Sequence, residues 1–432
     1  MDELRSYVEL FTDDMLEFAV KLVQTPSESG NEKAVADLYI DEMVKLGYDR
    51  VFRDEYGNVV GVVEGAQDGP SLMFNSHMDH VGAGDRSNWL GYDPFGGARD
   101  ICEVDNRDGT AVELAECIHG RGASDVKGGA AVQIYAGGIL ARMKKEGGVF
   151  PGRFIFTGVV LEEPAEMAGM LYLINRTFPK EGLSYHAMIS SEATSLKLYC
   201  GHRGRVELLV TVYGRTAHGS APWLGINAVY KAIPLIGKIR DELDPSLGSD
   251  PELGKAAATV TVISCSPGAL SIIPDQCFVS IDRRLIPGET ADDAIRQIKT
   301  IIDGLAAEDP EFRADVVIKS VKERSYTGVE TIADKYMSSW KFDVEHPVIQ
   351  AAAGALKDIG QKVEYGYWNF GTDASKTAGI DDRITFGYSP MQEQYAHTPY
   401  DKVRTDYMVK ALEGNAAIYL RLAQCSRDDF DT

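Results

Sequence analysis

The stretch of residues 72–80 places the strongest constraint on how this chain can fold. An apolar run of the kind that forms a buried strand, residues 72–74, is followed closely by His77, Asp79 and His80. Polar groups at the end of a buried strand are costly unless a partner such as a metal ion satisfies them. His77 and Asp79 share a face of an extended strand. Two interpretations stay open here: a cation bound by His77, with Asp79 accepting its other ring N–H, or a histidine bonded to a neighbouring acid.

The composition excludes several classes of partner. The chain has 432 residues and a formal net charge of −21, which argues against binding to nucleic acid or to anionic membranes. The six cysteines are scattered and form no Cys-x-x-Cys pair, so neither a disulfide framework nor a thiolate metal site is predicted. No apolar run approaches the ~20 residues that span a bilayer, and no signal-peptide pattern is evident. We therefore expect a cytoplasmic protein.

Strands alternate with helices in the first 200 residues, which predicts an α/β domain with a mostly parallel sheet flanked by helices. Functional groups in such sheets gather beyond the carboxyl ends of the strands. Predicted strands end at His77, at the pair Glu162-Glu163 and at Glu192, and Asp125 lies in the turn before a helix. Adjacent carboxylates repel, so one of the pair usually needs a cation and the other a role that tolerates a raised pKa.

The pattern changes in the middle of the chain. Residues 206–325 predict the element order β-α-β-β-α-β, the ferredoxin-like arrangement, which is complete in itself. We therefore predict an α/β domain formed by residues 1–205 and 326–432, with an inserted α+β domain between them. Residues 81–120 are rich in Gly, Asp and Asn and are predicted to form a long irregular loop that could shape specificity.

The motifs together resemble those of the metallopeptidase family of acetylornithine deacetylase, succinyl-diaminopimelate desuccinylase, aminoacylase and carboxypeptidase G. The resemblance covers nearly the whole chain, and the joint order and spacing of the motifs are far more specific than any single one. In chain order they are Ser76-His77-Met78-Asp79, the run from Gly120-Arg121-Gly122 through Asp125 to Gly129, Glu162-Glu163, Ser191-Glu192-Ala193, His218-Gly219-Ser220-Ala221-Pro222, Gly225-Ile226-Asn227-Ala228, Ile272-Ile273-Pro274-Asp275, Gly371-Thr372-Asp373-Ala374 and His397-Thr398-Pro399.

The resemblance implies a zinc-peptidase type catalytic domain that holds two divalent metal ions. By matched position, His77, Asp125 and Glu192 would hold one ion, and Asp125, Glu163 and His397 the other. Mixed imidazole and carboxylate ligands suit Zn²⁺, with Co²⁺ or Mn²⁺ as replacements. The catalytic residues would be Glu162, which carries the proton, and Asp79, which stands behind His77.

The resemblance also assigns the inserted domain a role as lid and dimerisation domain. His218 would reach the partner subunit's active site and stabilise the oxyanion, which implies a homodimer. Arg284 would bind the substrate carboxylate, and the backbone of Gly371 and Thr372 would line the same pocket.

Some positions depart from the family pattern. Ser271 stands where asparagine is usual, which leaves one substrate contact open, and His80 stands where a small hydroxyl residue is common. For His80 we favour a role outside the metal ligands, and the role of His202 stays undecided.

The expected activity is hydrolysis of the amide bond in a small N-acyl amino acid or dipeptide. A metal-dependent aminopeptidase or an N-carbamoyl amino acid amidohydrolase would use the same metals. A non-catalytic binding protein on the same scaffold is disfavoured, because every expected ligand and Glu162 are present.

Overall fold

A computed structural model describes residues 2–89, 91–164 and 167–431. Its helices are α1 Asp2–Val23, α2 Lys33–Leu46, α3 Gly128–Lys145, α4 Ala168–Tyr172, α5 Phe178–Glu181, α6 Ala228–Lys238, α7 Asp244–Ser246, α8 Ala291–Glu308, α9 Pro347–Asp358 and α10 Thr405–Leu422. Its strands are β1 Arg50–Arg53, β2 Val59–Glu64, β3 Gln67–His77, β4 Ala98–Asp105, β5 Val112–His119, β6 Pro151–Val159, β7 Ala187–Ser190, β8 Leu198–His202, β9 Gly204–Tyr213, β10 Ser249–Asp250, β11 Gly254–Lys255, β12 Ala257–Ser266, β13 Gln276–Leu285, β14 Arg313–Ile318, β15 Ser320–Arg324, β16 Glu330–Asp334, β17 Tyr336–Met337, β18 Trp340–Lys341, β19 Tyr365–Trp368, β20 Ile384–Gly387 and β21 Lys402–Arg404.

The catalytic domain is built on one large mixed sheet with the strand order β1-β2-β6-β3-β7-β20-β8-β18, and β19 pairs with β8. The four central strands β6, β3, β7 and β20 are parallel, as the sequence predicts. The strands on either side pair mostly antiparallel. The α/β class is therefore confirmed, with the parallel part concentrated in the centre of the sheet.

Helices cover both faces of this sheet, which explains why its central strands are apolar throughout. Helices α1, α2, α3, α9 and α10 share one hydrophobic core with side chains such as Phe74 and Phe156. The helical stretch of residues 168–181 packs on the opposite face against Met73 and Ile155. A strand that is buried on both faces reads as a continuous apolar run rather than an alternating one.

The inserted domain has the predicted ferredoxin-like order. Its antiparallel strands lie in the order β12-β13-β9-β14, with β17 added beside β9. The apolar residues of β9 alternate, because only one face of this sheet is covered, by α6 and α8. The buried core of the insertion runs from Val206 to Val316, whereas the hairpin β15–β16 packs against the catalytic core.

Residues 81–120 are not the irregular loop that the sequence predicted. They contain the hairpin β4–β5, which β21 extends to a three-stranded antiparallel sheet. Its outer face exposes Ile101, Val112 and Leu114 beside charged neighbours, so no simple alternation of apolar and polar residues marks these strands in the sequence. Among the described residues, no helix combines the length and the apolar character needed to cross a membrane.

Candidate active site

The carboxyl ends of three adjacent parallel strands open onto one cleft. In the sheet, His77 of β3 pairs with Val159 of β6, and Asn75 of β3 pairs with Ser190 of β7. This register brings His77, the segment that follows β6 and the segment that follows β7 to the same edge. The parallel pairing of neighbouring strands is thus what assembles residues that are far apart in the chain.

Asp125 reaches the same edge from the turn before α3. The start of α3 lies very close to the end of β7, because a Cβ on Gly129 would be 2.9 Å from the Cβ and the carbonyl oxygen of Ser191. The Asp125 carboxylate lies between two imidazoles: Oδ1 is 3.0 Å from Nε2 of His77, and Oδ2 is 3.0 Å from Nε2 of His397.

Two groups of ligand atoms share Asp125. One is His77, Asp125 and Glu192, and the other is Asp125, Glu163 and His397; within each group the atoms lie within 4.8 Å of one another. Nε2 of His77 is 3.6 Å from Oε1 of Glu192, and Nε2 of His397 is 3.1 Å from Oε1 of Glu163. One imidazole with two carboxylates is a donor set that suits Zn²⁺, Co²⁺ or Mn²⁺, so the residues present fit a pair of divalent ions.

The ring of His77 is oriented by a backbone carbonyl. Its Nδ1 lies 2.9 Å from the carbonyl oxygen of Asp79, which can only accept, so Nδ1 donates and Nε2 is left to face the cleft. The Asp79 carboxylate is farther away, with Oδ1 3.6 Å from the same nitrogen. The expectation that the Asp79 carboxylate would be the main acceptor of this N–H is therefore not met.

The Asp79 carboxylate instead holds the turn that carries the glutamate pair. It accepts hydrogen bonds from the backbone N–H groups of Glu162 and Glu163, at 3.2 and 3.1 Å. A second buried carboxylate, Glu32, accepts from the N–H of Leu161 at 3.2 Å. Leu161 has a φ of 55°, a conformation that non-glycine residues rarely adopt. Two carboxylates thus fix three successive amides and aim both glutamates at the cleft.

The carboxylate of Asp401 holds the turn that carries Asp125 by accepting hydrogen bonds from its backbone. This carboxylate is fully buried and accepts from the backbone N–H groups of Gly122 and Ser124, each at 2.8 Å. It also accepts from the guanidinium of Arg121 at 2.9 Å, which leaves the buried arginine paired. Asp401 is four residues beyond His397. One short segment therefore supplies a candidate ligand and the support of another.

The electrostatics of the cluster favour a cation. Burial raises the pKa of Glu192 to about 8 and raises the pKa of Glu162 well above its ordinary value. Hydrogen bonds to Asp125 and Glu163 raise the pKa of His397 to about 10. These shifts arise because several carboxylates are crowded together away from water, and a divalent ion is the partner that relieves such crowding.

A cavity of about 400 Å³ lies beside the cluster, between the catalytic domain and the inserted domain. Arg284 and Arg205 enter it from strands β13 and β9. Asp282 links them: it accepts from Nε of Arg284 at 2.7 Å and from Nε of Arg205 at 3.0 Å. The lining residues are Asp125, Glu162, Glu163, Glu192, Arg205, Arg284, Met337, Phe370, Gly371, Glu393, Ala396 and His397.

Two predicted site residues lie elsewhere. His218 is exposed on a loop of the inserted domain, where its Nδ1 is 2.7 Å from Oγ of Ser220, and it does not line the cavity of its own chain. Thr372 is fully buried and its Oγ1 accepts from the N–H of Ala374, so Gly371 lines the cavity and Thr372 does not. None of the described residues of the 81–120 region lines this cavity.

The undecided histidines have structural partners. His80 donates from Nδ1 to the carbonyl of Val81 and accepts at Nε2 from the N–H of Ser27, so both nitrogens are used. His202 donates to the carbonyl of Arg203 and accepts from the N–H of Thr372. Burial lowers the pKa of each to about 4, as expected for neutral imidazoles that support backbone.

Four residues of the site were missed by sequence reasoning: Glu32, Asp401, Arg205 and Glu393. The first two are ordinary acids in polar segments, and only their burial distinguishes them. Arg205 lies at the start of β9, next to the domain crossing, and Glu393 precedes His397 by four residues. Nearness to the crossing and to a motif histidine was the signal that could have found them.

Comparisons with known proteins identify relatives and structural neighbours of the chain. Residues 200–310 match a model described as a peptidase dimerisation domain of the M20 type. The chain is 33% identical over 409 residues to the uncharacterized protein YgeY of Escherichia coli K12, and the match covers 94% of each chain. Structural neighbours include the aminopeptidase PepT of Bacillus cereus, with a TM-score of 0.68 at 20% identity over 96% of this chain and 99% of that one.

A further neighbour is an M20 family metallo-carboxypeptidase of Sulfolobus solfataricus, with a TM-score of 0.67 at 14% identity over 95% of this chain and 99% of that one. Identities this low show the fold alone. The long match to YgeY, the dimerisation-domain match and the shared fold together place the chain in one family of hydrolases: it belongs to the M20 family of metallopeptidases.

Proposed function

We propose that this protein is a two-metal hydrolase that cleaves the amide bond of a small N-acyl amino acid or dipeptide. The observation that carries the proposal is the Asp125 carboxylate, whose two oxygens each lie 3.0 Å from a different histidine nitrogen. A carboxylate in this position can bridge two ions. His77 and Glu192 would complete one site, and Glu163 and His397 the other.

When bound, the two ions would supply Lewis-acid polarisation of the scissile carbonyl and would lower the pKa of the attacking water. Glu162 lines the cavity and belongs to neither group of ligand atoms, so its carboxylate remains available for proton transfer. It would accept the proton of the water and then donate it to the leaving nitrogen. The clamp by Asp79 on the backbone of this turn would keep Glu162 aimed at the reacting atoms.

Arg284 would bind the carboxylate of the substrate. Its Nε and Nη2 already donate to Asp282, at 2.7 and 3.2 Å, which fixes the plane of the guanidinium. Its Nη1 makes no hydrogen bond within the described part of the chain and is therefore left for the substrate. A guanidinium held by a carboxylate in this way is oriented before the substrate arrives, so less conformational entropy is lost on binding.

The inserted domain would form the homodimer and bring His218 to the partner's site. Its edge strand β12 and helix α6 expose Val262, Ile263, Tyr230 and Ile233, an apolar surface that supports pairing with a second chain. His218 is exposed and lies outside its own cavity, which is compatible with a role in trans.

A hydrolysis screen tests the proposal. The substrates are N-acetyl, N-succinyl, N-formyl and N-carbamoyl amino acids and unmodified dipeptides, assayed with added Zn²⁺, Mn²⁺ or Co²⁺. We expect turnover of at least one class that chelation abolishes and that metal restores. A protein that binds metal but hydrolyses none of these compounds would overturn the proposed substrate class. The Glu162→Gln variant serves as the control for contaminating hydrolases.

A further inference from the structure

One carboxylate in the cavity has no task in the proposed chemistry. Glu393 lines the same 400 Å³ cavity as Arg284 and the candidate metal ligands. It lies on the segment that leads to His397, in a short turn of residues 393–395. Its carboxylate belongs to neither of the two groups of ligand atoms that share Asp125.

The Glu393 carboxylate is also unpaired. It makes no hydrogen bond and no ion pair with any residue that the structure describes, although the side chain is half-buried. Burial raises the pKa of its carboxyl, and no cation of the described chain offsets this effect. A partly desolvated carboxylate without a partner is costly, and this cost is removed when a cationic group binds next to it.

The other residues that line the cavity indicate which cationic group would bind next to Glu393. Arg284 and Arg205 supply positive charge, but they enter from the inserted domain and are held by Asp282 and Glu207. The other lining carboxylates are the candidate metal ligands and Glu162. Glu393 is therefore the negative group left to face the substrate. Met337, Phe370 and Ala396 add an apolar wall that suits the carbon skeleton of a small molecule.

We propose that Glu393 forms an ammonium subsite, so that the preferred substrate carries a protonated amine in addition to the carboxylate bound by Arg284. This inference rests on the proposed function and narrows its substrate class. Amine-bearing amides are favoured over N-acetyl amino acids with neutral side chains, and N-succinyl compounds, whose acyl group is anionic, are disfavoured. The amine can come from the N-terminus of a dipeptide or from the side chain of an N-acylated diamino acid.

Matched substrate pairs test the subsite and separate the two sources. The first pair is alanyl-alanine and propionyl-alanine, which differ by the α-amine while the same bond is cleaved. The second pair is N-acetylornithine and N-acetylnorvaline, which differ by the side-chain amine. For the pair whose amine reaches Glu393, we expect the wild type to prefer the amine-bearing member by about tenfold to a hundredfold in kcat/KM, the range of a charge-assisted hydrogen bond.

The Glu393→Gln variant should remove this preference, mainly through a higher KM for the amine-bearing member, and should change kcat/KM for the neutral member by much less. The Glu308→Gln variant removes a surface charge of α8 and should keep the preference. If the wild type cleaves members of both pairs without preferring an amine, or if Glu393→Gln keeps the preference, the subsite is wrong while the proposed function stands. If the metal-loaded wild type cleaves none of the four compounds and none of the wider screen, the proposed function fails. If it cleaves only amides without an amine, such as N-succinyl or N-carbamoyl amino acids, the subsite is wrong while the proposed function stands. A loss of metal in Glu393→Gln would instead make Glu393 a metal ligand and would overturn the subsite.

Discussion

The two halves of the proposed active site are held in very different ways. In the catalytic domain, Asp79, Glu32 and Asp401 are buried carboxylates that accept hydrogen bonds from the turns carrying the candidate ligands. In the inserted domain, His218 is exposed, and among the described residues its ring forms hydrogen bonds with Ser220 of its own loop. The first half is preorganised within one chain. Under the proposed function, His218 would have to be brought into place by movement or by a second chain.

Under the proposed function, these two kinds of support correspond to two different tasks in catalysis. Groups that hold charge need fixed positions, because misplacement by a small distance weakens metal binding and general acid–base catalysis. A group that acts after substrate has bound can arrive by domain closure, which also excludes water from the site. Under the proposed function, closure and pairing with a second chain would both belong to the inserted domain, whose β12 and α6 expose an apolar face.

Removal of Asp125 should have the largest effect, because both halves of the metal site depend on it. We expect Asp125→Ala to lose metal at both sites and to lower kcat/KM by more than about a thousandfold. Elemental analysis should find about two ions per wild-type chain and fewer than one in the variant. Asp37→Ala is the matched control, because Oδ2 of Asp37 lies 2.7 Å from Nζ of Lys33 and Asp37 belongs to none of the groups of candidate ligand atoms among the described residues. Full metal occupancy in Asp125→Ala would contradict the bridging role.

The adjacent glutamates should respond differently to the same change. Glu162→Gln should keep both metals and lose about 10²–10⁴ in kcat, the usual worth of general acid–base catalysis. Glu163→Gln should lose affinity for the ion held with His397, which titration with a metal-ion indicator measures. Each variant controls for the other, since both sit in the turn held by Asp79. The opposite pair of phenotypes would mean that the two roles are exchanged.

Loss of His218 should cost about 10²–10³ in kcat, by analogy with other oxyanion donors. The trans arrangement makes a sharper prediction for mixed dimers of His218→Ala and Glu162→Ala chains. One of the two sites in a mixed dimer pairs an intact Glu162 with an intact His218. Random pairing makes half the dimers mixed, so about a quarter of wild-type activity should return.

The complementation test depends on subunit exchange, which differently tagged chains and affinity purification of the mixed dimer can verify. His218 acting within its own chain would leave every site of the mixed dimer defective. Activity at the level of the single variants, in dimers shown to have exchanged, would therefore exclude the trans arrangement. A mixture of Glu162→Ala with Asp125→Ala chains is the control. Both residues belong to the catalytic domain, so every site of this mixed dimer lacks one of them and no activity should return.

Much of this organisation could be predicted from the sequence. The apolar run before His77 and the run before Glu162-Glu163 identify buried strands, and alternation with helices places their ends at one edge. The ferredoxin-like insertion was predictable because its six elements are complete and contiguous. The hairpin β4–β5 was not, because its strands face solvent on one side and carry charged residues there.

The supports of the site could not be predicted in the same way. Glu32 and Asp401 are distant in sequence from the turns they hold, and nothing in their local sequence indicates burial. The acceptor for His77 was also misjudged, because a sequence pattern gives the spacing of Asp79 but not whether its carbonyl or its carboxylate is nearer. These contacts depend on long-range packing, which short motifs do not encode.

The smallest predicted effect tests whether the buried carboxylates position ligands or only stabilise the fold. In Asp401→Asn an amide N–H₂ group replaces one carboxylate oxygen, although both oxygens accept hydrogen bonds from the turn before Asp125. One donor then faces another donor in a buried site, which costs about 1–3 kcal/mol of stability. Because the affected turn carries Asp125, we also expect metal affinity to fall by about 10–100-fold, as for other residues that orient ligands.

Asp54→Asn separates the two effects. Asp54 also clamps a turn, accepting from the N–H groups of Tyr56, Gly57 and Asn58, but that turn carries no candidate ligand. Both variants should therefore lower the free energy of unfolding of the metal-free protein by similar amounts, whereas only Asp401→Asn should weaken metal binding in a competition titration. Equal metal affinity in the two variants would mean that Asp401 stabilises the fold but does not position Asp125. Weaker binding in Asp401→Asn alone would show that the fixed half of the active site owes its geometry to side chains that touch neither metal nor substrate.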